Sequence, residues 1–236
     1  AGGLPLERLV ARIDASLEDA DLAHVEAVLA GGARLVGEGF AHYAGGDTPQ
    51  TVALRGRLEA FDPSRLHADA PQGRIALDFE ADADSDGRAS MRWQFGDSRL
   101  LGQPLAGDGA LRIDGARAPQ VDVALSLGAN RVRTRGAWGA LDDELEVEAE
   151  LPALDALGYG LDGRATLSAR VTGGLTAPEG DIRARAEALR APGVFVRSLS
   201  AEGRLGAGAD GVVALDVGID ALGPDADGAW VERAQL

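Results

Sequence analysis

The acidic run from Asp82 to Gly87 is the stretch of the chain whose residue types and spacing come nearest to a known binding motif. Its three aspartates stand at alternate positions and its glycine at the sixth, as in the first half of an EF-hand calcium loop. The twelfth position of such a loop supplies a bidentate glutamate, and here that position is Trp93. We therefore predict an acidic hairpin turn and no calcium site.

The three histidines are candidates for zinc binding or general-base catalysis. His24, His42 and His67 lie in three different segments, and none belongs to a His-Glu-x-x-His or His-x-His pattern. Both kinds of chemistry need several side chains that converge on one point. We interpret all three as ordinary surface histidines.

A glycine-rich segment, Gly206 to Gly211, has the Gly-x-Gly-x-x-Gly spacing of a dinucleotide-binding loop. Such a loop must open a helix, whose N-terminus holds the pyrophosphate. Here the next residues, 213–219, alternate as a strand does, so we interpret the segment as a turn. The serines also lack a nucleophile-elbow motif or a nearby base. The sequence therefore predicts neither an enzyme nor a cofactor or metal site.

The stretch from Asp142 to Leu151, DDELEVEAEL, has the pattern that dominates the chain. Its four glutamates alternate with aliphatic residues such as Leu145 and Val147. In an extended strand the two sets point to opposite faces of a sheet. The carboxylates must stay in water while the aliphatic groups must leave it, so this sheet needs something to cover one face.

About a dozen such segments recur at the 8–12-residue spacing typical of all-β proteins, between turns rich in Gly, Asp and Pro. We predict a mainly β, largely antiparallel fold. Short helical turns are expected near residues 22–30, 62–66 and 152–157, where helical spacing or an Asp-Pro pair interrupts the alternation. Residues 6–17 fit a helix or a strand, and we favour a strand.

The composition narrows the class of protein. Of the 236 residues 45% are hydrophobic but only 4% are aromatic, so the chain is not disordered, yet it lacks the large side chains of a dense core. A net charge of −15 argues against nucleic acid and anionic membrane surfaces as partners. Cysteine is absent, and no apolar run approaches the ~20 residues of a membrane span.

A sheet with one apolar face can bury it in a sandwich or a closed barrel. It can also fold partway over into a trough and leave the apolar face as a groove for an apolar ligand. The scarcity of large side chains slightly favours the trough, with Glu146, Glu148, Asp122 and Arg183 facing solvent. The positions expected to line its apolar interior are Leu77, Phe79, Val121, Val123, Leu125, Leu127, Val132, Leu145, Val147, Leu167, Val171, Val213, Leu215 and Val217.

Three segments, "LRGRLEAFDPSRL", "WQFGDSRLLGQPLAGDGALRIDG" and "LGANRVRTRGAWGALDDELEVEAELPALDALG", resemble the TamB family. These proteins are the translocation and assembly module subunits of Gram-negative bacteria and are related to AsmA-like proteins. The third segment is the most specific, since it is similar to the family's run of Leu-Gly-x-Asn-x-Val, Gly-x-x-Gly, a strand and a Leu-rich turn. The resemblance covers residues 50–205, and residues 1–48 match least well.

The resemblance implies an elongated trough, the β-taco, in a periplasmic protein anchored in the inner membrane by a segment absent here. It implies a partner, the Omp85-type outer-membrane barrel TamA, and a role in phospholipid transport and in outer-membrane protein assembly. Acyl chains would lie on the aliphatic face, where each buried methylene contributes about 0.8 kcal/mol. We expect residues 1–236 to be one continuous β-repeat segment of a longer chain.

Two other functions remain open. The trough could be a chaperone-like scaffold that pairs its edges with unfolded strands of outer-membrane proteins, or a structural β-solenoid without a ligand. An enzyme acting on polysaccharide would need carboxylates beside surface aromatics. The three tryptophans, Trp93, Trp138 and Trp230, lie far apart in sequence and give little support to that function.

Overall fold

The structure of the chain is a computed structural model, and it describes residues 6–16, 18–29, 31–43, 50–67, 69–174, 177–206, 213–223 and 231–235. Over these residues the chain forms sixteen β-strands and two short 3-10 helices. The strand pairs are antiparallel, which confirms the prediction of a mainly β, largely antiparallel fold. The chain divides into two compact units, residues 1–118 and 119–236, called unit 1 and unit 2. Whether they form one continuous repeat segment stays a prediction.

Unit 1 is built from eight strands whose hydrogen-bonded order follows the chain. The first six strands are successive neighbours, the eighth pairs with the sixth, and the short seventh pairs with the fifth and the eighth. Short connections explain most of this order, because they favour antiparallel pairing between strands that follow one another in the chain. The strands are β1 (Leu6–Ala15), β2 (Asp19–Leu29), β3 (Arg34–His42), β4 (Thr51–Phe61), β5 (Gly73–Asp84), β6 (Arg88–Phe95), β7 (Ser98–Leu100) and β8 (Gln103–Asp114).

Unit 2 also contains eight strands, and each neighbours the next one in the chain. Its strands reach 15 residues, and apolar and polar side chains alternate along them as the sequence predicts. The strands are β9 (Arg117–Leu127), β10 (Asn130–Trp138), β11 (Glu144–Leu151), β12 (Asp162–Gly174), β13 (Ala177–Ala191), β14 (Val194–Leu205), β15 (Val213–Gly223) and β16 (Val231–Gln235).

The two 3-10 helices lie where the sequence predicts the second and third helical turns. Pro63–Arg65 begins after Asp62, the N-cap residue, and proline at the first helical position needs no N–H partner. Leu154–Leu157 follows β11 and ends at Gly158, where a positive φ suits glycine. Both predicted turns are confirmed.

The helical turn predicted near residues 22–30 is wrong, because residues 22–29 belong to β2. A β-bulge explains the error. The three residue steps from Leu22 to Val25 match only two on β3, from Gly39 to Gly37, so β2 holds one extra residue. The bulge leaves Leu22 and Val25 on one face at a spacing of three, which imitates a helix. The first segment forms the strand β1, as we favoured.

The buried side chains among the described residues are few and mostly small. No large side chain in this part of the chain is fully buried, and the aliphatic strand residues larger than alanine, except Val196, are half-buried or exposed. Such a sheet keeps its apolar face partly in contact with water. The buried apolar residues are Ala27, Ala33, Ala41, Ala149, Leu154, Ala186 and Val196.

Asp62 holds the connection between β4 and β5 through hydrogen bonds that favour its ionised form. Its Oδ1 accepts from the N–H of Gly73 at 3.0 Å and from the N–H of Ser64 at 3.1 Å. These bonds, that from Gly73 above all, lower the pKa of Asp62. Because the folded pKa lies below the unfolded one, this stabilisation is present above about pH 4 and is lost as the pH falls through the folded pKa.

We predict that Asp62→Ala lowers the melting temperature at pH 7 by about 2–4 °C, the shift expected for a lost capping interaction in a chain of this size. The difference in melting temperature from the wild type should narrow as the pH falls below about 4, because Asp62 of the wild type becomes protonated as the pH passes through its lowered pKa. Thermal unfolding followed by circular dichroism measures both effects. The control Asp97→Ala removes an exposed carboxylate outside these bonds. A difference in melting temperature that stays constant with pH would contradict the stabilising role of ionised Asp62.

Candidate functional site

A continuous apolar face crosses the strands of unit 2. Directly opposite residues of antiparallel strands share a face, and Val147 on β11 lies opposite Thr134 on β10 and Ala169 on β12. Ala169 in turn lies opposite Ile182 on β13. The predicted apolar positions of β10, β11 and β12 therefore share one face. The neighbouring rows are Val132–Ala149–Leu167–Ala184 and Gly136–Leu145–Val171–Gly180.

Burial in β11 follows the predicted alternation. Leu145 and Val147 are half-buried, whereas the glutamates between and around them are exposed. The Glu146 side chain keeps 48% of its surface accessible, and Arg183 on β13 keeps 68%. The carboxylates thus stay in water, while the aliphatic groups leave it only in part.

The remaining positions predicted to line the interior lie on β5, β9 and β15. The predicted residues on β5 and β9 are half-buried. The same holds for every other described side chain of the predicted set except Val132, which is 36% exposed. On β15 the side chains at positions 213, 215 and 217 lie outside the described part. The backbone pairs these positions with 205, 203 and 201 on β14. That the set lines a lipid groove stays a prediction.

The opposite face of unit 2 carries cross-strand rows of alternating charge. Arg170 on β12 lies 3.2 Å from Glu144 and 2.5 Å from Glu146, and the hydrogen bond that it donates to Glu146 is the main cause that raises the pKa of Arg170. Exposed pairs of this kind stabilise a fold only weakly, but they keep the face in water. One row consists of Asp122, Arg135, Glu146, Arg170, Asp181 and Arg204.

A shallow depression of about 340 Å³ opens on this charged face. It lies around Ser168, whose short side chain stands between Glu148 and Arg183 on the neighbouring strands. Its charged walls are exposed, and Arg170 and Asp181 are engaged in ion pairs. The depression is a gap between surface ion pairs.

Unit 1 has a corresponding apolar face. Leu77 and Phe79 of β5, both in the predicted set, lie on it together with residues of β3, β4, β6 and β8. All of its central side chains are at least half-buried. Two central rows are Leu35–Leu58–Leu77–Phe95 and Gly37–Gly56–Phe79–Trp93–Gly109.

Aromatic rings on this face lie across glycines of the neighbouring strands. A Cβ atom added to Gly109 would overlap the indole ring of Trp93, and one added to Gly56 would come within 3.1 Å of the Phe79 ring. The rings therefore cover backbone that has no side chain of its own, which stabilises glycine within a strand. This arrangement spreads large side chains flat along the face.

The buried side chains of Asn130 and Ser98 bind backbone. Asn130 is 2% exposed; its Nδ2 donates to the carbonyl of Ala153 at 2.7 Å, and its Oδ1 accepts from the same residue's N–H at 3.1 Å. Ser98 bonds both backbone groups of Ala76 in a similar way, each at 2.9 Å. These contacts fix connections between strands. We did not single out Asn130 from the sequence, and its place in the Leu-Gly-x-Asn-x-Val pattern was the available signal.

The acidic run forms the predicted hairpin turn between β5 and β6. The Oδ1 atom of Asp84 accepts from the N–H groups of Asp86 at 2.9 Å and Arg88 at 3.0 Å, so this carboxylate is used to build the turn.

His24 and His42 lie on β2 and β3, and His67 follows the first 3-10 helix. Of the glycine-rich segment, residues 207–212 lie outside the described residues, and β15 follows it as predicted.

Comparisons with protein families, with curated proteins and with solved structures find no match to this chain. The resemblance to the TamB family therefore rests on the three sequence segments alone. In the described ranges, no helix has the length and apolar character needed to cross a membrane. No group of three or more potential metal ligands occurs within the same ranges.

Proposed function

We propose that this chain is a periplasmic lipid-binding segment that carries phospholipid toward the outer membrane on its apolar sheet faces. The observation that supports this most is the continuous aliphatic face of half-buried residues across unit 2, in a chain whose buried apolar residues are mainly alanine. A protein that used this face only as a core would be expected to bury large side chains completely.

The chemistry of the face suits an acyl chain. Along β11 and β12 it presents only aliphatic groups, such as Val147 and Leu167, and no charged group. A methylene group that leaves water on such a surface gains about 0.8 kcal/mol. With few polar contacts to hold it in one place, the lipid can move along the face, as transport requires.

The finer architecture and cellular setting that we propose follow the resemblance to the TamB family. The sheet would fold over into a trough with its apolar face inside. The parent protein would be anchored in the inner membrane and would act with the Omp85-type barrel TamA. Through that pairing it would also support the assembly of outer-membrane proteins.

Trp93 provides the direct test of lipid binding, because it lies on the apolar face of unit 1. In a variant with Trp138→Phe and Trp230→Phe, Trp93 is the only indole. We predict that phospholipid with brominated acyl chains strongly quenches the fluorescence of Trp93, because bromine quenches only at short range. The same phospholipid without bromine should leave the fluorescence unquenched. Mass spectrometry of solvent extracts of the purified chain measures the bound lipid independently.

The matched control moves the indole to the other face of the same strand. Trp93→Phe combined with Gln94→Trp places it at an exposed position on the charged face, where brominated chains should quench it little. Equal quenching at both positions would show nonspecific adsorption. Absence of quenching at Trp93 and of lipid in the extracts would overturn the proposed function.

One observation favours the second candidate, the chaperone-like scaffold. In the described part of the chain β1 pairs only with β2, and all ten of its residues are exposed, including Leu9 at 58% and Ile13 at 59%. An exposed edge strand of this kind can pair with an unfolded β-strand. Bound peptide without bound lipid in the purified chain would favour this function.

A further inference from the structure

The apolar face of unit 1 becomes more exposed toward one end of its strands. Its row through Leu58, Leu77 and Phe95 is half-buried throughout. Six residues further along the face, the side chains at the ends of β4 and β8 are more open: Val52 is 42% exposed and Ile113 is 38% exposed. The large apolar residues exposed by more than a third on this side are Val52, Leu54, Met91 and Ile113.

The two ends of the sheet differ in how they are covered. At the exposed end, here called the hairpin rim, the β5–β6 turn (85–87) meets the turn 115–116, and the N–H of Gly115 donates to the carbonyl of Gly87 at 3.0 Å. At the opposite end, called the far rim, the connection 62–72 and the short strand β7 extend the structure beyond the central rows. Among the described strand residues, the apolar face is therefore more exposed at the hairpin rim.

The hairpin rim is negatively charged. The guanidinium of Arg88 lies 3.0 Å from Asp86, 3.7 Å from Asp84 and 3.8 Å from Asp114. Three carboxylates against two arginines, Arg88 and Arg117 at the start of β9, leave an excess of negative charge beside the exposed apolar residues. The calcium-like acidic run of the sequence thus lies where a lipid head group would have to sit.

We propose that phospholipid reaches the apolar face of unit 1 across the hairpin rim, with its head group held outside that rim. This inference rests on the proposed lipid-binding function. The negative rim then disfavours anionic head groups and accepts zwitterionic ones, whose ammonium group can approach the carboxylates. The charges act only over the Debye length of about 8 Å at physiological salt, so charge at the far rim has little effect on the head group.

The test is a competition between phosphatidylcholine and phosphatidylglycerol that carry the same acyl chains, read by mass spectrometry of the lipid bound to the purified chain. We expect the wild type to prefer phosphatidylcholine about two- to fivefold, the range that exposed charge interactions provide. The variant Asp86→Asn/Asp114→Asn should lose most of this preference. Asp84 is left intact because it builds the turn.

The matched control removes two carboxylates from the far rim. Asp69→Asn/Asp97→Asn changes the net charge by the same amount at exposed positions and should keep the wild-type preference. Equal effects of the two double variants would show that net charge alone decides, and a wild type without preference would also overturn the inference. In both cases lipid still binds, so the proposed function survives. A chain that binds neither phosphatidylcholine nor phosphatidylglycerol would overturn both this inference and the proposed function.

Discussion

Replacing Gly109 by alanine is expected to destabilise the chain by about 1–3 kcal/mol, the usual cost of overpacking. Alanine normally suits a strand better than glycine, so the sign of the effect is diagnostic. The added Cβ would overlap the indole ring of Trp93, so the ring must leave its place on the apolar face. Urea unfolding followed by circular dichroism measures the loss, and the fluorescence of Trp93 should shift toward that of an exposed indole.

The clash can be isolated by removing the ring. In a Trp93→Leu background, Gly109→Ala should cost much less than in the wild type, since leucine can turn away from the new methyl group. Gly206→Ala is the control, because a Cβ at that position has no atom within 4 Å. Equal costs of Gly109→Ala with and without Trp93 would show that the ring does not cover this glycine.

Much of the fold was predictable because one short-range property, the alternation of apolar and polar residues, determines both strand formation and the face each residue takes. The stretch 144–151 has no bulge, so its faces follow from counting in twos. The Asp-Pro pair at 62–63 likewise contains the whole signal for the turn that it starts. Such elements can be predicted without reference to the rest of the chain.

At a β-bulge, the alternation of apolar and polar residues no longer predicts the face on which a residue lies. Simple alternation after Leu58 places Ala60 on the apolar face, but Ala60 has φ of +54° and the strand holds an extra residue there. Phe61 is therefore the residue that lies opposite Ile75. The error at Leu22 has the same cause. A bulge is favoured by the pairing of two strands, which the sequence of one strand does not reveal.

The candidate site was predictable only as a face, and not as a set of contacts. Trp93 and Gly109 meet because β6 and β8 pair past the short strand β7, and Asn130 reaches Ala153 across a distance of 23 residues. Both contacts depend on strand order and register. Composition nevertheless indicated the thin core correctly, because alanine and valine cannot fill the space that aromatic residues fill.

Val147→Asp is the variant expected to separate a lipid-binding face from a closed core. Val147 lies mid-strand between Thr134 and Ala169 and is half-buried. In a closed core its replacement would bury an unpaired charge, cost several kcal/mol and unfold the chain. On an accessible face the carboxylate can stay hydrated, so we expect a folded protein with a loss of less than about 2 kcal/mol in stability. Its affinity for phospholipid should nevertheless fall by about tenfold or more, because an acyl chain cannot lie over a charge without dehydrating it.

Thr166→Asp provides the matched control, since it introduces the same charge at an exposed position on the other face of β12. It should bind lipid as the wild type does. Val147→Ala, which removes two methyl groups without adding charge, should weaken binding only slightly. Thermal unfolding by circular dichroism and lipid binding are both measured on each variant. Only the two results together distinguish a lipid-binding face from a closed core. A Val147→Asp chain that melts points to a closed core, and one that stays folded with undiminished lipid binding shows that acyl chains do not pass over this residue.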